Sequence, residues 1–541
     1  MNPSGDLIID CLSRFERVAP FYARDPSFAA LSAAPPDTTQ RPLTADDVEE
    51  LIRFNTLPFS DESDVRRRVE RIAQPETTVI MTGQQTGLLL GPLFTVSKAL
   101  NAIRLARRLE EKTGRPAEAV FWIASEDHDF DEVSSVSWLG PDDQRRSALL
   151  PLPEGTAGHS VGTIPLDKAA LARVTTEIAG TTGAMPSSSD VLALIEEATA
   201  TTTTLGEHFR HLLLRLLQPL GLIVVDPWFS AVKRHLSETL RSEIENPGAT
   251  TSLVLETSER LRAAGLPVQV HRREGDVNFF FHVDGVRGKA RWTGTAFEIT
   301  HPITGDALAK HGRDELTKLL SDSPEVFSPN VVTKPLVRDR VFRPLAYVAG
   351  PGELAYHAQL KALYENAGVP MPAIVPRAHI AILNPRPRRA LRRLNLSAQE
   401  WLAMSQAERD AALARSSVRA DALRDFEESR EKLLDQMKSL ENAVVAVDPG
   451  HRRSVERLLG SVSKTLDKLG EQMTKSTQQR DSQIAADAAL LDASLEPGGN
   501  PQERVDNVFV PHMMLQGQRL IERLFEIMEL DRPDLQVIEI A

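Results

Sequence analysis

Residues 81–132 read MTGQQTGLLLGPLFTVSKALNAIRLARRLEEKTGRPAEAVFWIASEDHDFDE. Two apolar runs that are typical of buried strands, Thr77–Thr82 and Ala119–Ala124, flank a helical pattern that begins at Gly91-Pro92. This order predicts a βαβ unit with parallel strands. Polar residues follow both strands, and open α/β sheets bind ligands at the carboxyl ends of their strands. The sequence therefore predicts a ligand site at this edge.

The alternation of strands and helices returns later in the chain. A helical pattern over Leu205–Leu217 precedes a strand pattern over Gly221–Asp226. Leu345–Ala349 is another predicted strand, and a helix over Leu354–Ala367 and a short strand over Ala373–Val375 follow it. The predicted fold class is therefore α/β, with a mostly parallel sheet and right-handed crossovers.

Two segments interrupt this alternation. Residues 141–200 are rich in proline, glycine, serine and threonine, which predicts an irregular insertion. A small antiparallel piece is predicted within residues 266–300, with extended runs at Val268–Val270, Asn278–Val283 and Lys289–Trp292. The Asp-Gly pair between the last two runs is a hairpin signal.

Beyond Pro387 the pattern becomes that of a coiled coil. Apolar residues recur at spacings of seven, four and three on both sides of the break Asp448–Gly450; they are Phe426, Leu433, Met437, Leu440, Val444, Val447, Val455, Leu459, Val462, Leu466, Leu469 and Met473. This spacing predicts an antiparallel helical hairpin with a coiled-coil seam. After a turn at Glu496–Asn500 we expect one last helix of about 15 to 20 residues.

Composition narrows the class of protein. The 541 residues are 41% hydrophobic and 26% charged, as in globular proteins, and are too many for one compact core. We expect no membrane association, because the chain lacks a long apolar run and its first residues lack a secretion signal. The net charge of -12 argues against a nucleic-acid partner. The single cysteine, Cys11, lies in an apolar stretch, which predicts a buried inert thiol and a reducing cytoplasm.

The first candidate motif is the segment Thr82–Gly87, TGQQTG. Glycines allow a sharp turn and a close approach of ligand to backbone, and the positive end of the next helix favours an anion. Gln84 and Gln85 would add amide donors and acceptors. The segment is neither a Walker A loop nor a dinucleotide fingerprint. The alternative is a tight strand-to-helix turn with solvated glutamines.

The second motif, Ser125–Asp129, contains Ser125, Glu126, Asp127, His128 and Asp129. An extended chain would direct residues 125, 127 and 129 to one side and residues 126 and 128 to the other. Such a cluster could position an amine, take a proton or hold a divalent metal, although we assign no metal ligands. We expect the crowded carboxylates to raise one another's pKa and to favour protonated His128. The alternative is a solvated acidic loop.

Cationic residues precede the Leu345–Ala349 strand. Asn330 is followed by Lys334 and Arg338, whose positive charge could neutralise an anion. Ordinary surface ion pairs are the alternative role for these cations.

Two further strands end in polar residues. Gly350 and Gly352 lead into a helix whose first turn carries Glu353, which could hold an amine or hydroxyl, and Tyr356, one turn on, could hydrogen-bond the same ligand. Asp226 ends a third strand. Helix capping is the alternative role for both carboxylates.

Four segments together carry a family resemblance: TGQQTGLLLGPLFTVSKALNAIRLA from Thr82, FWIASEDHDFDEV from Phe121, SPNVVTKPLVRD from Ser328 and AYVAGPGELAYHAQLK from Ala346. In this order they resemble the bacillithiol biosynthesis cysteine-adding enzymes, also called cysteine ligases. The resemblance runs from about Thr77 to the C-terminus. Residues 141–200 and the region before Thr77 match more loosely.

The resemblance implies a Rossmann-like core, similar to class I aminoacyl-tRNA synthetases and nucleotidylyltransferases. It also implies connecting-peptide insertions and a C-terminal coiled coil that forms a homodimer. The implied reaction is that of a ligase, which joins cysteine to glucosaminyl-malate through an amide bond and gives bacillithiol. Gln84 and Gln85 stand where related folds carry catalytic histidines, which is a departure from the synthetase pattern.

These patterns and the resemblance divide the chain into seven parts. The core occupies three of them, and two insertions separate these. The parts are 1–140 (core, first part), 141–200 (connecting peptide 1), 201–245 (core, second part), 246–325 (connecting peptide 2, with the antiparallel hairpin), 326–387 (core, third part), 388–500 (coiled-coil arm) and 501–541 (C-terminal helix that returns to the core).

Amide formation from a free carboxylate is uphill in water, so the cysteine carboxylate has to be activated, and ATP is the candidate activator. The predicted catalytic residues are Asp127, His128, Asp129 and Arg338. The predicted substrate-binding residues are Thr82, Gly83, Gln84, Gln85, Ser125, Glu126, Asp226, Asn330, Gly350, Gly352, Glu353 and Tyr356. We expect an anionic group, the malyl moiety or a phosphate, at the glutamines, and deprotonation of the attacking amine at Asp127–Asp129.

Two other functions fit the same patterns. A nucleotidylyltransferase acting on another small molecule would use the same sheet edge and would have to bind a nucleotide. A non-catalytic dimeric scaffold would depend on the coiled coil and would lose its function if residues 388–500 were deleted.

Overall fold

The computed structural model describes residues 3–416 and 420–540. Predictions that fall on residues 1, 2, 417–419 and 541 lie outside the described residues. The chain forms two compact units, Met1–Ile382 with Gln502–Ile538, and Leu383–Pro501 with Glu539–Ala541. The finer division into seven parts stays a prediction.

Strands and α-helices are numbered along the chain. The strands are β1 Thr78–Gln85, β2 Ala117–Ala124, β3 Ser135–Leu139, β4 Arg145–Leu149, β5 Leu222–Val225, β6 Asp276–Val283, β7 Val286–Trp292, β8 Phe297–Thr300, β9 Ala307–His311, β10 Phe327–Pro329, β11 Ala346–Ala349, β12 Ala373–Pro376, β13 Ile380–Leu383 and β14 Gln536–Glu539. The helices are α1 Pro3–Ser13, α2 Phe28–Ala33, α3 Ala45–Asn55, α4 Glu62–Ala73, α5 Phe94–Thr113, α6 Phe130–Val133, α7 Lys168–Thr182, α8 Ser188–Thr201, α9 Leu205–Leu217, α10 Ser230–Glu245, α11 Ala249–Ala263, α12 Arg313–Asp322, α13 Lys334–Phe342, α14 Pro351–His357, α15 Lys361–Ala367, α16 Pro385–Leu394, α17 Ala398–Ala403, α18 Gln406–Ser416, α19 Ala420–Val447, α20 Arg452–Leu495, α21 Gln502–Val505, α22 His512–Gln516 and α23 Arg519–Ile527. Short 3-10 turns join several of these elements.

The central sheet is parallel and confirms the predicted α/β class. Its strand order is β12-β11-β1-β2-β5, and every neighbouring pair is parallel. The chain starts in the middle of the sheet with β1, adds β2 and β5 on one side, and then returns to add β11 and β12 on the other. The order therefore reverses between β1 and β11, and this reversal is the topological switch point at which doubly wound sheets bind ligands.

Strand β1 is longer than the sequence predicted. It runs through Gln85, which pairs with Ala124 at the end of β2, so Gly83 and Gln84 belong to the strand and not to a turn. A Cβ on Gly83 would lie 2.7 Å from the carbonyl oxygen of Trp122, so only glycine allows the close approach of the two strands there. The prediction of a glycine turn starting at residue 83 is therefore wrong.

Helix α5 follows β1 after a tight 3-10 turn over Leu88–Leu90. It starts at Phe94 and not at the predicted Gly91-Pro92. Its apolar stripe, which includes Val96 and Leu100, is buried against the sheet, and Gly114 ends the helix in a left-handed conformation with φ 67°.

The first insertion is more regular than the sequence predicts, and the second is larger. Residues 141–200 contain strand β4 and helices α7 and α8, because alanine-rich runs with apolar spacing outweigh the turn-forming composition. The second insertion supplies most of a five-stranded antiparallel sheet, β10-β6-β7-β8-β9. Its predicted hairpin is confirmed, with positive φ at Asp284 (47°) and Gly285 (84°).

Three local predictions are wrong. Val268–Val270 is not a strand, because the Gln359 side chain accepts hydrogen bonds from the Gln269 and Val270 N–H groups and donates to the Val270 carbonyl. The helix predicted over Leu354–Ala367 is two helices, α14 and α15. The single last helix is three short helices, α21 to α23, followed by β14.

The second unit contains the predicted helical hairpin. Helices α19 and α20 flank a 3-10 turn that starts at Pro449. Arg430 forms an ion pair with Asp467, and a Cβ on Gly470 would lie 3.2 Å from the Phe426 ring, so the two helices run antiparallel.

Candidate active site

A cavity of about 460 Å³ opens at the switch point of the parallel sheet. The carboxyl ends of β1, β2 and β11 form its floor, and α13, α14 and the antiparallel sheet contribute its walls. We call it the main cavity. The sequence-predicted residues that line it are Gly83, Gln84, Gln85, Asp127, His128, Asp129, Asn330, Arg338, Gly350, Gly352, Glu353 and Tyr356.

Four predicted site residues do not line the main cavity. Thr82 is buried and donates a hydrogen bond to the Val348 carbonyl at 2.9 Å. The other three, together with Lys233, form a separate group that we call the Asp226 cluster: Ser125, Glu126, Asp226 and Lys233. In this cluster Ser125 donates to Asp226 at 2.6 Å, and Lys233 pairs with Glu126 at 2.6 Å.

The predicted alternation of side chains over residues 125–129 is therefore wrong. Strand β2 ends at Ala124, and the chain turns immediately afterwards. Because of this turn, Ser125 and Glu126 enter the Asp226 cluster, while Asp127, His128 and Asp129 line the main cavity.

Asp127 is held between two cations. Its carboxylate accepts hydrogen bonds from Lys334 at 3.1 Å and from Arg287 at 3.4 Å. Burial opposes the charged form, but Lys334 and Arg287 hold the pKa of Asp127 below its ordinary value. The expectation that crowding would raise this pKa is wrong, because the attraction of the two cations outweighs burial.

His128 is neutral near pH 7, contrary to the sequence-based expectation. Burial and the Arg287 guanidinium lower its pKa, and this outweighs the nearby Asp127 and Asp129 carboxylates. The Arg287 Nη1 lies 3.4 Å from the His128 Nδ1. Since a guanidinium only donates, Nδ1 is assigned as the acceptor and the proton to Nε2, which lies 3.7 Å from Asp129.

The antiparallel sheet holds this imidazole in place. The Phe280 ring of β6 meets His128 edge-on with ring centroids 5.5 Å apart. Arg287 of β7 lies 3.9 Å above the Phe280 ring and donates to Ser328 and to the Pro329 carbonyl. The second insertion therefore builds one wall of the site.

A second charged group lies on the opposite side of the switch point. Lys98 of α5 pairs with Glu353 at 2.5 Å and donates to the Gly83 carbonyl at 2.5 Å and to Gln84 at 3.2 Å. Glu353 also accepts from the Gly350 N–H and from Tyr347, both at 2.8 Å. Burial disfavours its charge, but Lys98 and these donors keep the pKa of Glu353 below its ordinary value.

Arg338 lines the main cavity with its charge already paired. It donates twice to Asp339, at 2.6 and 2.9 Å, and its guanidinium lies 3.8 Å above the Tyr347 ring. Asp339 also accepts a short hydrogen bond from Tyr364. These contacts fit a rigid positioning role better than the predicted role of a free counter-charge.

The segment that follows the coiled-coil arm in sequence also reaches the main cavity. Arg377 and Arg504 line it, and Glu503 accepts two hydrogen bonds from Arg377 at 2.6 Å and one from His379 at 2.9 Å. Burial opposes the charge of Glu503, but the Arg377 and His379 partners drive its pKa far below its ordinary value.

Sequence reasoning did not assign Lys98, Arg287, Arg377 and Arg504 to the site. Lys98 lies on the helix of the opening motif, four residues after Phe94, so its position on the cavity side was readable from helical spacing. Arg287 and Arg504 are distant from the motifs in sequence, and no local pattern marks them.

Several polar groups near the main cavity lack protein partners within the described ranges. They include the Trp122 Nε1 and the Arg377 Nε, and both residues line the main cavity. Both atoms are donors, so a ligand that supplies acceptor oxygens would satisfy them.

Among the described residues, no three histidine, cysteine, aspartate or glutamate side chains are grouped as metal ligands. Cys11 is buried, and burial raises the pKa of its thiol to about 12, so the predicted inert thiol is confirmed.

In the part of the chain that the structure describes, no helix has the length and apolar character needed to cross a membrane.

The parallel sheet, its switch-point cavity and the long helical hairpin define a Rossmann-like α/β protein with a coiled-coil unit. Two family descriptions match the chain: "Bacillithiol biosynthesis BshC, N-terminal Rossmann-like domain" over residues 1–378, and "Bacillithiol biosynthesis BshC, C-terminal coiled-coil domain" over residues 380–540. The chain belongs to the bacillithiol biosynthesis BshC family, as the four sequence motifs predicted.

Individual relatives match over most of their length. A protein of Heliobacterium modesticaldum named "Putative cysteine ligase BshC" is 32% identical over 85% of this chain and 82% of its own. A protein of Salinibacter ruber with the same name is 28% identical over 93% of this chain and 90% of its own. A solved structure described as a "putative arginyl T-RNA synthetase" from Campylobacter jejuni aligns at 9% identity and a TM-score of 0.22, covering 80% of this chain and 94% of that one, which is too weak a likeness to define a shared fold.

Proposed function

We propose that this chain is the ligase that forms an amide bond between L-cysteine and the amine of glucosaminyl-malate, giving bacillithiol. Family membership supports the reaction, and the main cavity offers a site of adequate size for a small amino sugar. The single buried cysteine is consistent with the reducing cytoplasm in which we expect the enzyme to act.

The observation that carries the proposal is the neutral His128 beside Asp129. In the assigned tautomer, Nε2–H points toward Asp129, while Nδ1 is occupied by Arg287. His128 is therefore suited to orient the Asp129 carboxylate, and Asp129, which is half exposed toward the main cavity, is suited to accept the proton of the attacking amine.

In the proposed step the sugar amine attacks the carboxyl carbon of cysteine, which carries a leaving group because the carboxylate has been activated. The C–N bond forms, the bond from carbon to the leaving group breaks, and one amine proton passes to Asp129. Asp127 does not take part as a base, because Lys334 and Arg287 already satisfy its carboxylate. Its role is to fix Arg287, and through it His128.

On the other side of the switch point, Lys98, Glu353 and Tyr347 form a fixed array near Gln84. Glu353 offers a carboxylate that could hold the second amino group in the reaction, that of cysteine, or a sugar hydroxyl. The unpartnered donors of Trp122 and Arg377 are suited to carboxyl or hydroxyl oxygens of the ligand.

The test is bacillithiol formation from glucosaminyl-malate, L-cysteine and ATP, measured by mass spectrometry for Asp129→Ala and His128→Ala separately. Loss of a general base costs about 10²- to 10⁴-fold in rate, so Asp129→Ala should fall by that factor and His128→Ala by less. Asp131→Ala, an exposed acidic neighbour, is the matched control. Full activity in both variants would refute the assignment.

Nucleotide binding and the reaction products separate the ligase from a nucleotidylyltransferase. Titration calorimetry with ATP, with and without glucosaminyl-malate, detects productive nucleotide binding. Transfer of a nucleotidyl group to a small molecule without amide formation would favour the nucleotidylyltransferase.

We also propose that the coiled-coil unit mediates a homodimer. Apolar side chains of the hairpin are exposed, including Leu440 of the predicted heptad pattern at 58% and Leu458, which lies outside that pattern, at 66%. Such side chains lose contact with water if a second copy covers them. Light scattering should give twice the chain mass, and Leu440→Glu with Leu458→Glu should give a monomer; a monomeric wild-type protein would contradict the proposal.

A further inference from the structure

A second cavity of about 330 Å³ adjoins the main cavity. The two share Gln84, Gln85, Phe94 and Arg504 in their walls, so one ligand can extend across both. The rest of the second cavity is built from the loop between β1 and α5, from residues 132–137 and from the segment after Arg504.

The positive end of α5 faces this second cavity. Helix α5 is 20 residues long, and the residue before it, Leu93, offers no side-chain cap. The Leu93 N–H already donates to the Asp506 carbonyl at 2.7 Å and the Thr95 N–H to the Pro92 carbonyl at 2.9 Å, so this end offers chiefly its dipole, about half a positive charge. An anion in the second cavity would meet this charge.

Thr95 is an independent indication of a ligand site. Its side chain lines the second cavity and is fully buried, and its Oγ1 has no hydrogen-bond partner within the residues that the structure describes. A buried hydroxyl without a partner is destabilising. A ligand oxygen in the second cavity would remove this cost.

Arg504 supplies positive charge for an anion in the second cavity. It is exposed at the rim shared by the two cavities, and no ion pair or hydrogen bond from its guanidinium is found in residues 3–416 and 420–540. Its neighbours are fixed: Glu503 binds Arg377, and Asn507 donates to the carbonyls of Leu89 and Gly91 at 2.7 and 2.8 Å. The loop and the segment that carries Arg504 are therefore held together.

The charge balance favours a carboxylate over a phosphate dianion. Arg504 contributes one positive charge and the helix end about half of one, and the exposed Glu132, which also lines the cavity, opposes them. The remainder of about half a positive charge is too small to balance a dianion and favours a group with a single negative charge.

We propose that the second cavity is the site for a carboxylate of the acidic substrate, held by Arg504, the Thr95 hydroxyl and the start of α5. This rests on the proposed function for the identity of the substrate, whose malyl group carries the carboxylates. In a glucosaminyl conjugate the amine and the malyl group are attached to neighbouring sugar carbons. The amine would thus lie in the main cavity while the malyl group enters the second.

The test is titration calorimetry of the full chain with glucosaminyl-malate, L-malate, D-glucosamine and inorganic phosphate. Arg504→Gln should weaken glucosaminyl-malate and L-malate about tenfold and leave D-glucosamine unchanged. Arg523→Gln, an exposed arginine on α23, is the matched control. Thr95→Val should weaken malate severalfold, and Thr95→Ser, which keeps the hydroxyl, should restore it.

Unchanged affinity of Arg504→Gln for both malyl ligands would overturn the inference, even if the enzyme forms bacillithiol. So would tighter binding of phosphate than of L-malate with the same dependence on Arg504. If the chain forms no bacillithiol but malate binding still depends on Arg504 and Thr95, the proposed function fails and the carboxylate site stands.

Discussion

Asp127 and Asp226 follow two neighbouring strands of the parallel sheet, yet their surroundings shift the pKa values of the two carboxyl groups in opposite directions. Asp127 has two cations within 3.4 Å, and its pKa is lowered. Asp226 accepts from Ser125 and from the Trp228 N–H, which are neutral donors, and burial raises its pKa to about 6. Two cations thus fix the charge of Asp127 in the main cavity, whereas burial among neutral donors makes Asp226 easier to protonate.

The largest expected difference concerns catalysis. Asp129→Asn should reduce kcat by about 10²- to 10⁴-fold, because it removes the proposed proton acceptor. Asp226→Asn keeps the Ser125 hydrogen bond and should leave kcat within about threefold of wild type. Steady-state kinetics on both variants checks this, and an equal loss in the two would remove the functional distinction between the cavity and the Asp226 cluster.

The next effect concerns stability. Lys233→Met removes the ion-pair partner of Glu126, which is 1% exposed, so we expect the free energy of unfolding to fall by about 3 to 5 kcal/mol. Lys334→Met leaves Asp127 with Arg287 and should cost about 1 kcal/mol. Urea unfolding of the two variants measures the difference. Equal losses would mean that the two carboxylates depend on their cations alike.

The third prediction is a pH dependence of opposite sign for the two aspartates. The folded-state pKa of Asp226 is about 6, above its unfolded value. The contribution of Asp226 to the free energy of unfolding is therefore greatest below about pH 4, and it falls by about 3 kcal/mol as the pH rises through 6. The pKa of Asp127 is lowered, so its contribution is present above its unfolded pKa and is lost as pH falls through the folded value.

Urea unfolding between about pH 2 and pH 7 covers both slopes, because the contribution of Asp127 changes only below its unfolded pKa of about 3.9. In Asp226→Asn the loss of stability between pH 4 and pH 6 should disappear. In Asp127→Asn the loss of stability at acid pH should become smaller. A profile of Asp226→Asn that is parallel to that of wild type would show that Asp226 does not titrate in this range.

The smallest effect is expected for Ser125→Ala. It removes one hydrogen bond to Asp226, which should lower the free energy of unfolding by about 1 kcal/mol and raise the pKa of Asp226 further. Activity should stay within about twofold of wild type. A loss of activity comparable to that of Asp129→Asn would move Ser125 into the catalytic group.

Much of the fold follows from sequence, because the parallel strands are short apolar runs bounded by glycine, proline and polar residues. The predicted bounds of strand β5 and helix α9 agree with the structure to within a residue. The end of β1 does not follow, because Gly83 is typical of a turn, whereas its role is to let β1 approach Trp122. The sequence pattern does not predict the helices of residues 141–200, because their threonine and serine residues are equally typical of loops.

The candidate site is only partly predictable. Motifs at strand ends identify Gln84, Asp127, His128 and Glu353, since parallel strands deliver their ends to one edge. The direction of the Ser125 side chain depends on a turn after Ala124 that no sequence pattern predicts. Residues such as Arg287 and Arg504 reach the cavity from other parts of the chain, so only the tertiary fold brings them to this edge.

A crystal structure of the chain with glucosaminyl-malate and cysteine would show whether the reaction takes place in the switch-point cavity. We expect the sugar amine in the main cavity, within about 3 Å of the Asp129 carboxylate, with cysteine beside Glu353 and a malyl carboxylate at Arg504. Both ligands bound outside the switch-point cavities, with Asp129 facing only solvent, would contradict it.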